Sequence, residues 1–187
     1  MRTLMLIAAI PALLALCACN TSESRVSDGT AGEAYDHISH IRTLYVLPAE
    51  LPDDIHGNAT EEEKERWQED WPMMAARLIA RGATDETDDR FTALVSEEET
   101  DRDYYFELEI TYLDVGDEDV RAGDILDSDE EGWSHVLATG RIIHAESGDL
   151  VSELKFEQST GRQSDSPFEN DMINLGQKLG RWIEDRQ

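Results

Sequence analysis

Basic residues are scarce in this chain. Only 16 Lys and Arg stand against 42 Asp and Glu across 187 residues, a formal net charge of −26. Affinity for nucleic acid rests on Lys and Arg displacing counterions along the phosphate backbone, so so acidic a chain is excluded from that class. Adhesion to anionic lipid through a basic patch is excluded on the same ground. Cysteine is also scarce, at two residues, and both lie near the start, at Cys17 and Cys19. A disulfide framework therefore cannot hold a later domain together, which must rely on burial. Long apolar runs are missing too. The longest apolar run, Leu4 to Ala18, is shorter than the roughly 20 residues that cross a bilayer. What is present is 40% apolar and 31% charged residues, the balance of a soluble domain with an ordinary core and a heavily solvated exterior.

The stretch from Arg2 through Leu4–Ala18 has the charged start and apolar centre of a secretory signal peptide, spanning residues 1–18. Leu16-Cys17-Ala18-Cys19 resembles the lipobox of bacterial lipoproteins, in which an aliphatic and a small residue precede the cysteine that becomes lipid-modified. The resemblance implies that Cys19 is the diacylglyceryl-modified amino terminus of the mature chain, held to the membrane by its lipid. Cys17 is the other choice, but bulky Leu16 precedes it where signal peptidases prefer a small side chain. Lipoproteins of enterobacterial type with Asp after the cysteine tend to stay in the inner membrane. Asn20 stands there instead, which implies a periplasm-facing protein of the outer rather than the inner membrane. Residues 19–36 are rich in Ser, Thr, Gly, Ala and Asp and read as a flexible tether, reaching roughly 20 to 25 Å as a coil of about 17 residues.

Residues 37–187 read as one domain. Ile41–Leu47 has β-branched and aromatic residues on both faces and ends at Pro48, which predicts a central strand. Thr60 predicts a helix cap, with Glu61, Glu62 and Glu63 at the positive end of the helix dipole. Trp67, Trp71, Met74, Leu78 and Ile79 form its apolar stripe. Pro72 should kink or restart this helix, and Gly82 is a plausible stop. Phe91–Val95 predicts a short strand. In the next, Tyr104, Phe106, Leu108, Ile110 and Tyr112 alternate with Tyr105, Glu107, Glu109, Thr111 and Leu113, one face buried and one wet. A hairpin follows, Trp133–His144 and Leu150–Gln158, turning at Glu146-Ser147-Gly148-Asp149; Leu150, Ser152, Leu154 and Phe156 share one side of its second strand. The last helix has Ser166 as cap, Pro167 first and Glu169 as the box residue, with a stripe of Phe168, Met172, Leu175, Leu179, Trp182 and Ile183. The expected fold is α+β, an antiparallel or mixed sheet of about five strands with two helices packed on one face. The lipobox, the aliphatic strand ending at Pro48 and the late hairpin turning through Ser147-Gly148-Asp149-Leu150 are similar to lipoproteins whose α+β domain is akin to the amino-terminal domain of the TolB translocation protein and to the curli-secretion lipoprotein. That resemblance implies an assembly or interaction module and carries no catalytic residues.

Motifs for nucleotide binding, serine hydrolysis or zinc proteolysis are missing from the sequence, so no enzyme and no cofactor is expected. His37 and His40 lie three apart without further ligands and read as solvated residues. His135 and His144, nine apart on one strand, should face opposite ways. Asp127-Ser128-Asp129-Glu130-Glu131-Gly132 matches the opening of a calcium loop, with Asp127, Asp129 and Glu131 as oxygen ligands and Gly132 sixth, but Ala138 stands where the bidentate Glu belongs. The plain alternative is a solvated acidic loop over 116–132. Trp133, beside that loop, is the candidate partner-binding residue, whereas Trp67, Trp71 and Trp182 fit core stripes. The expected role is a lipid-anchored, non-catalytic interaction or assembly module meeting an envelope protein or cell-wall partner. The alternative is a binder of divalent cations or a small ligand through the acidic loop.

Overall fold

A computed structural model describes residues 24–28, 38–87, 91–97, 103–116, 133–160 and 167–187. The elements run β1 (Ser24–Asp28), β2 (Thr43–Val46), α1 (Glu61–Asp85), β3 (Thr92–Val95), β4 (Tyr104–Asp114), β5 (Ser134–His144), β6 (Asp149–Thr160) and α2 (Pro167–Glu184). The sheet order is β1-β6-β5-β4-β2-β3. It is mixed: β2 runs parallel to both β3 and β4, and the other neighbours are antiparallel. The α+β architecture is the expected one, with β2 central and β3 at an edge.

β1 is a correction. Ser24–Asp28 falls inside the stretch read as tether, yet it pairs with β6 from Ser24↔Gln158 to Asp28↔Leu154. Its single apolar residue, Val26, gave no period to detect, because an added edge strand is held by main-chain hydrogen bonds that any residue but proline supplies.

Helix α1 begins where the cap predicts: Thr60 Oγ1 accepts from Glu63 N–H while the Glu63 carboxylate accepts from Thr60 N–H at 2.9 Å. The Thr60 backbone and side-chain hydrogen bonds hold the Glu63 carboxyl below its ordinary pKa. The helix carries Pro72 in its interior without dividing, and the Pro72 carbonyl accepts from Ala49 N–H at 3.0 Å. Gly82 is not the stop, since the helix continues to Asp85. Its role is contact. A Cβ at Gly82 would strike the Ile173 carbonyl oxygen, one at Gly176 the Ile79 carbonyl, and one at Gly180 the Ala83 backbone. The two helices therefore run parallel with their backbones pressed together. The fully buried face of α1 is accordingly small, Ala75, Ala76, Ile79, Ala80, Gly82 and Ala83; the expected Trp67, Trp71, Met74 and Leu78 pack on the core's margin, partly exposed. The α2 stripe is buried as expected, from Phe168 to Ile183. Trp67, Trp71 and Phe168 stack in a ladder with ring centroids 4.4 and 4.0 Å apart.

Both helices join Leu44, Val46, Phe106, Ile142, Leu154 and Phe156 in one core. Two irregularities decide which side chains reach it. The β4–β5 register shifts between Ile110 and Tyr112, so Leu113 is fully buried while Tyr112 turns to the other face. The β5–β6 register shifts between Ile142 and Ile143, so Val151 is buried and Leu150 turns outward, 55% exposed. Each reverses the expected alternation at one end of a strand, because an extra residue in one partner flips every side chain beyond it.

Candidate functional site

Cys19, Asp127, Asp129, Glu131 and His37 lie outside the described residues, as does the acidic loop from 117 to 132. Trp133 is described: it is half-buried, directly before β5. The loop's first residues are fastened. Gly116 N–H donates to Asp114 Oδ1 at 2.8 Å, and Asn58 N–H donates to the Gly116 carbonyl at 3.3 Å. Gly57, at φ +113°, permits this approach, since a Cβ there would strike Val115 and the Gly116 carbonyl. Among the described residues no three His, Cys, Asp or Glu side chains are grouped to hold a metal, and no helix is long and apolar enough to cross a membrane.

The sequence reading missed what the sheet gathers on the face away from the helices. Pairing places Glu107 opposite Arg141 and Arg141 opposite Glu153. The Arg141 guanidinium donates to Glu109 at 2.9 Å and reaches Glu153 at 3.5 Å, and the Glu109 bond raises its pKa further. A shallow concavity of about 440 Å³ lies beyond, lined by Thr111, Leu137, Thr139, Lys155 and Glu157. At its end Tyr112 lies between two imidazoles: His56 stacks on it with centroids 5.0 Å apart, and His135 meets its edge at 5.7 Å. Burial, with Asp114 beside the phenol, raises the Tyr112 pKa. His135 lies 3.5 Å from Glu157. His144 is on the opposite face, as expected, against Tyr104. The signal that could have revealed this surface is the bulge, which a single strand's alternation does not display.

A second cluster is enclosed. Asp171 is completely buried and accepts hydrogen bonds from Ser134 Oγ at 2.6 Å and Thr160 Oγ1 at 2.5 Å. Lys178 Nζ donates to Gln158 Oε1 at 2.6 Å. Burial raises the Asp171 pKa, against the hydrogen bonds of Ser134, Thr160 and Gln158 and the charge of Lys178; burial lowers that of Lys178 to about 8, against the charge of Asp171. Ser134 and Thr160 are 1% and 3% exposed, so both hydroxyls are shut off from solvent. The cluster pins α2 to the adjoining ends of β5 and β6.

No family model matches the chain, and no curated protein matches it by sequence. Solved structures do resemble it. The PelC dodecamer from Paraburkholderia phytofirmans superposes with a TM-score of 0.54 at 12% identity, over 89% of this chain and 100% of that one. Protein XCC0632 from Xanthomonas campestris gives 0.48 at 14% identity, over 77% and 84%. Lipoprotein GNA1162 from Neisseria meningitidis gives 0.36 at 10% identity, over 77% and 99%. Solved structures similar to this chain thus include a lipoprotein, and the likeness to PelC is one of fold.

Proposed function

We propose that this chain is a lipid-anchored, periplasm-facing module of a bacterial envelope that works by contact with a protein or cell-wall partner and not by catalysis. The observation that carries the reading is the sheet itself: both helices pack on one face, and the other presents a concavity, paired charges and, toward its margins, the exposed Leu94 and Leu150. A face of this kind suits recognition. The lipobox-like Leu16-Cys17-Ala18-Cys19 supports the anchor, and Asn20 the outer membrane. Ser24, where β1 starts, is the fifth residue after Cys19, so a lipidated Cys19 would hold the sheet within about 17 Å of the bilayer. A free coil to residue 36 would let the domain range farther, to roughly 20 to 25 Å on average. A protein of similar fold, PelC, is a dodecamer, which supports an assembly role for the architecture.

The test is crosslinking and capture of the intact chain from its native membrane, with Cys19→Ala as control and incorporation of labelled palmitate as the readout of lipidation. The expected result is label on the wild type only, and an envelope component recovered only when the anchor is present. Equal recovery with both forms, or label retained by Cys19→Ala, would overturn the anchored reading.

A further inference from the structure

The register of the sheet lines up an apolar row that crosses the open face. Leu94 pairs with Tyr45, Tyr45 with Tyr105, Tyr105 with Ile143, and Ile143 with Leu150. Directly paired residues share a face, so these five side chains, one from each of β3, β2, β4, β5 and β6, stand side by side over about 19 Å. The middle is sheltered, with Tyr105 8% exposed, while Leu94 and Leu150 at the ends are 45% and 55% exposed. Leu150 stands there only because the bulge at Val151 turns it out of the core. Regular pairing would have buried it.

Acidic residues border the row on both sides. Beyond the strand ends lie exposed Asp103, Glu146 and Asp149, brought together by the Ala145 N–H bond to the Asp103 carbonyl at 2.9 Å. Toward the sheet's centre lie Glu107, Glu109 and Glu153, with Arg141 between them. We propose that this row is the docking site for a polypeptide segment of a partner protein that is apolar along its middle and basic at its margins. Apolar side chains would cover Leu94, Tyr45, Ile143 and Leu150 while Lys or Arg meet the carboxylates. A second copy of the chain would instead bring a further charge of −26 against the same acidic borders. The proposal rests on the contact-module reading and names its surface and the chemistry of its partner.

The probe is a 14-residue amphipathic peptide of leucine and lysine, long enough to span the row as a helix, with a leucine and glutamate peptide of the same pattern as control. Binding to the full chain is followed by calorimetry and by amide shifts. The expected result is binding of the lysine peptide alone, with shifts along the five paired residues. The variant L94S/L150S should weaken it about tenfold or more, and L150K more strongly. Because both leucines are largely exposed, these variants keep the wild-type melting temperature. Affinity unchanged in L94S/L150S would mean attraction by net charge alone and would overturn the proposal, as would a concentration-dependent doubling of mass that L94S/L150S abolishes. In cells, a photocrosslinking residue at 150 is compared with one at exposed Glu62 on α1. Adducts at 150 with a partner whose contact peptide is apolar and basic support the site. Adducts at 62 alone sink the site and leave the contact-module reading standing; adducts at neither position sink both.

Discussion

The hydroxyl of Thr84, in the last turns of α1, accepts a hydrogen bond from the Ala93 N–H at 2.9 Å and donates to the Ala93 carbonyl at 3.4 Å. One side chain thus occupies both main-chain groups of a residue on the edge strand β3. Thr87 Oγ1 adds a bond to the Phe91 carbonyl at 3.2 Å. An unpaired edge is a template for pairing with another chain, and here the helix covers it. Thr84→Val keeps the shape and removes both bonds, so it should cost about 1–2 kcal/mol and promote association with rising concentration. Urea unfolding and light scattering would check this, with Thr84→Ser near wild type. Unchanged stability and scattering for the valine variant would show that the edge needs no cover.

At the helix crossing, Gly176→Ala should destabilise by about 2–3 kcal/mol, because the new methyl meets the Ile79 carbonyl on a backbone that cannot move without opening the core. Gly148→Ala provides the contrast. That glycine sits in the hairpin turn at φ +70° with nothing within 4 Å of the added Cβ, so only the left-handed backbone is penalised, by about 1 kcal/mol. Thermal melts of the two variants should rank in that order.

Asp171 makes stability depend on pH in a defined direction. Its folded pKa is raised above 3.8 by burial, so between 3.8 and the folded value the native state binds more protons than the unfolded one. Stability falls as pH rises through that window. Asp171→Asn should abolish this slope while retaining partners for Ser134 and Thr160, whose hydroxyls can turn to suit an amide. Asp171→Ala strands both hydroxyls in the core and should cost about 2–3 kcal/mol. Denaturant unfolding across pH 4 to 7 separates the cases.

Lys178 acts at the other end of the scale. Its pKa is lowered from 10.5 to about 8, so between those values the unfolded state binds more protons and stability rises with pH. Lys178→Met, which keeps the stem and removes the charge, should flatten the profile between pH 8 and 10. A slope that survives in the methionine variant would assign it to another group.

Loss of the α1 cap is a mild change. Thr60→Ala removes the acceptor for Glu63 N–H and should cost about 1 kcal/mol, read as a lower melting temperature with an unchanged spectrum of the folded state.

Much of the fold was legible because its signals are local. The Thr60–Glu63 cap, the Phe168–Ile183 stripe and the turn at Gly148 each depend on residues within a few positions of one another, and each stands where the residues predict. The α1 face was misread for an instructive reason: periodicity registers large apolar side chains, whereas this crossing is built from Gly82, Gly176 and Gly180, whose contribution is the absence of a side chain. Ser24–Asp28 escaped because main-chain pairing leaves no mark in composition.

The candidate surface was less legible still. The amino acids alone determined an acidic exterior, a lipobox-like start, a cysteine-free domain and an α+β order of elements, since charge, length and period are properties of the string. Which face Tyr112, Leu113, Leu150 and Val151 would take was decided only in the tertiary structure. A bulge is a relation between two strands, set by how many residues one places against its neighbour, and a strand's own alternation does not contain that count.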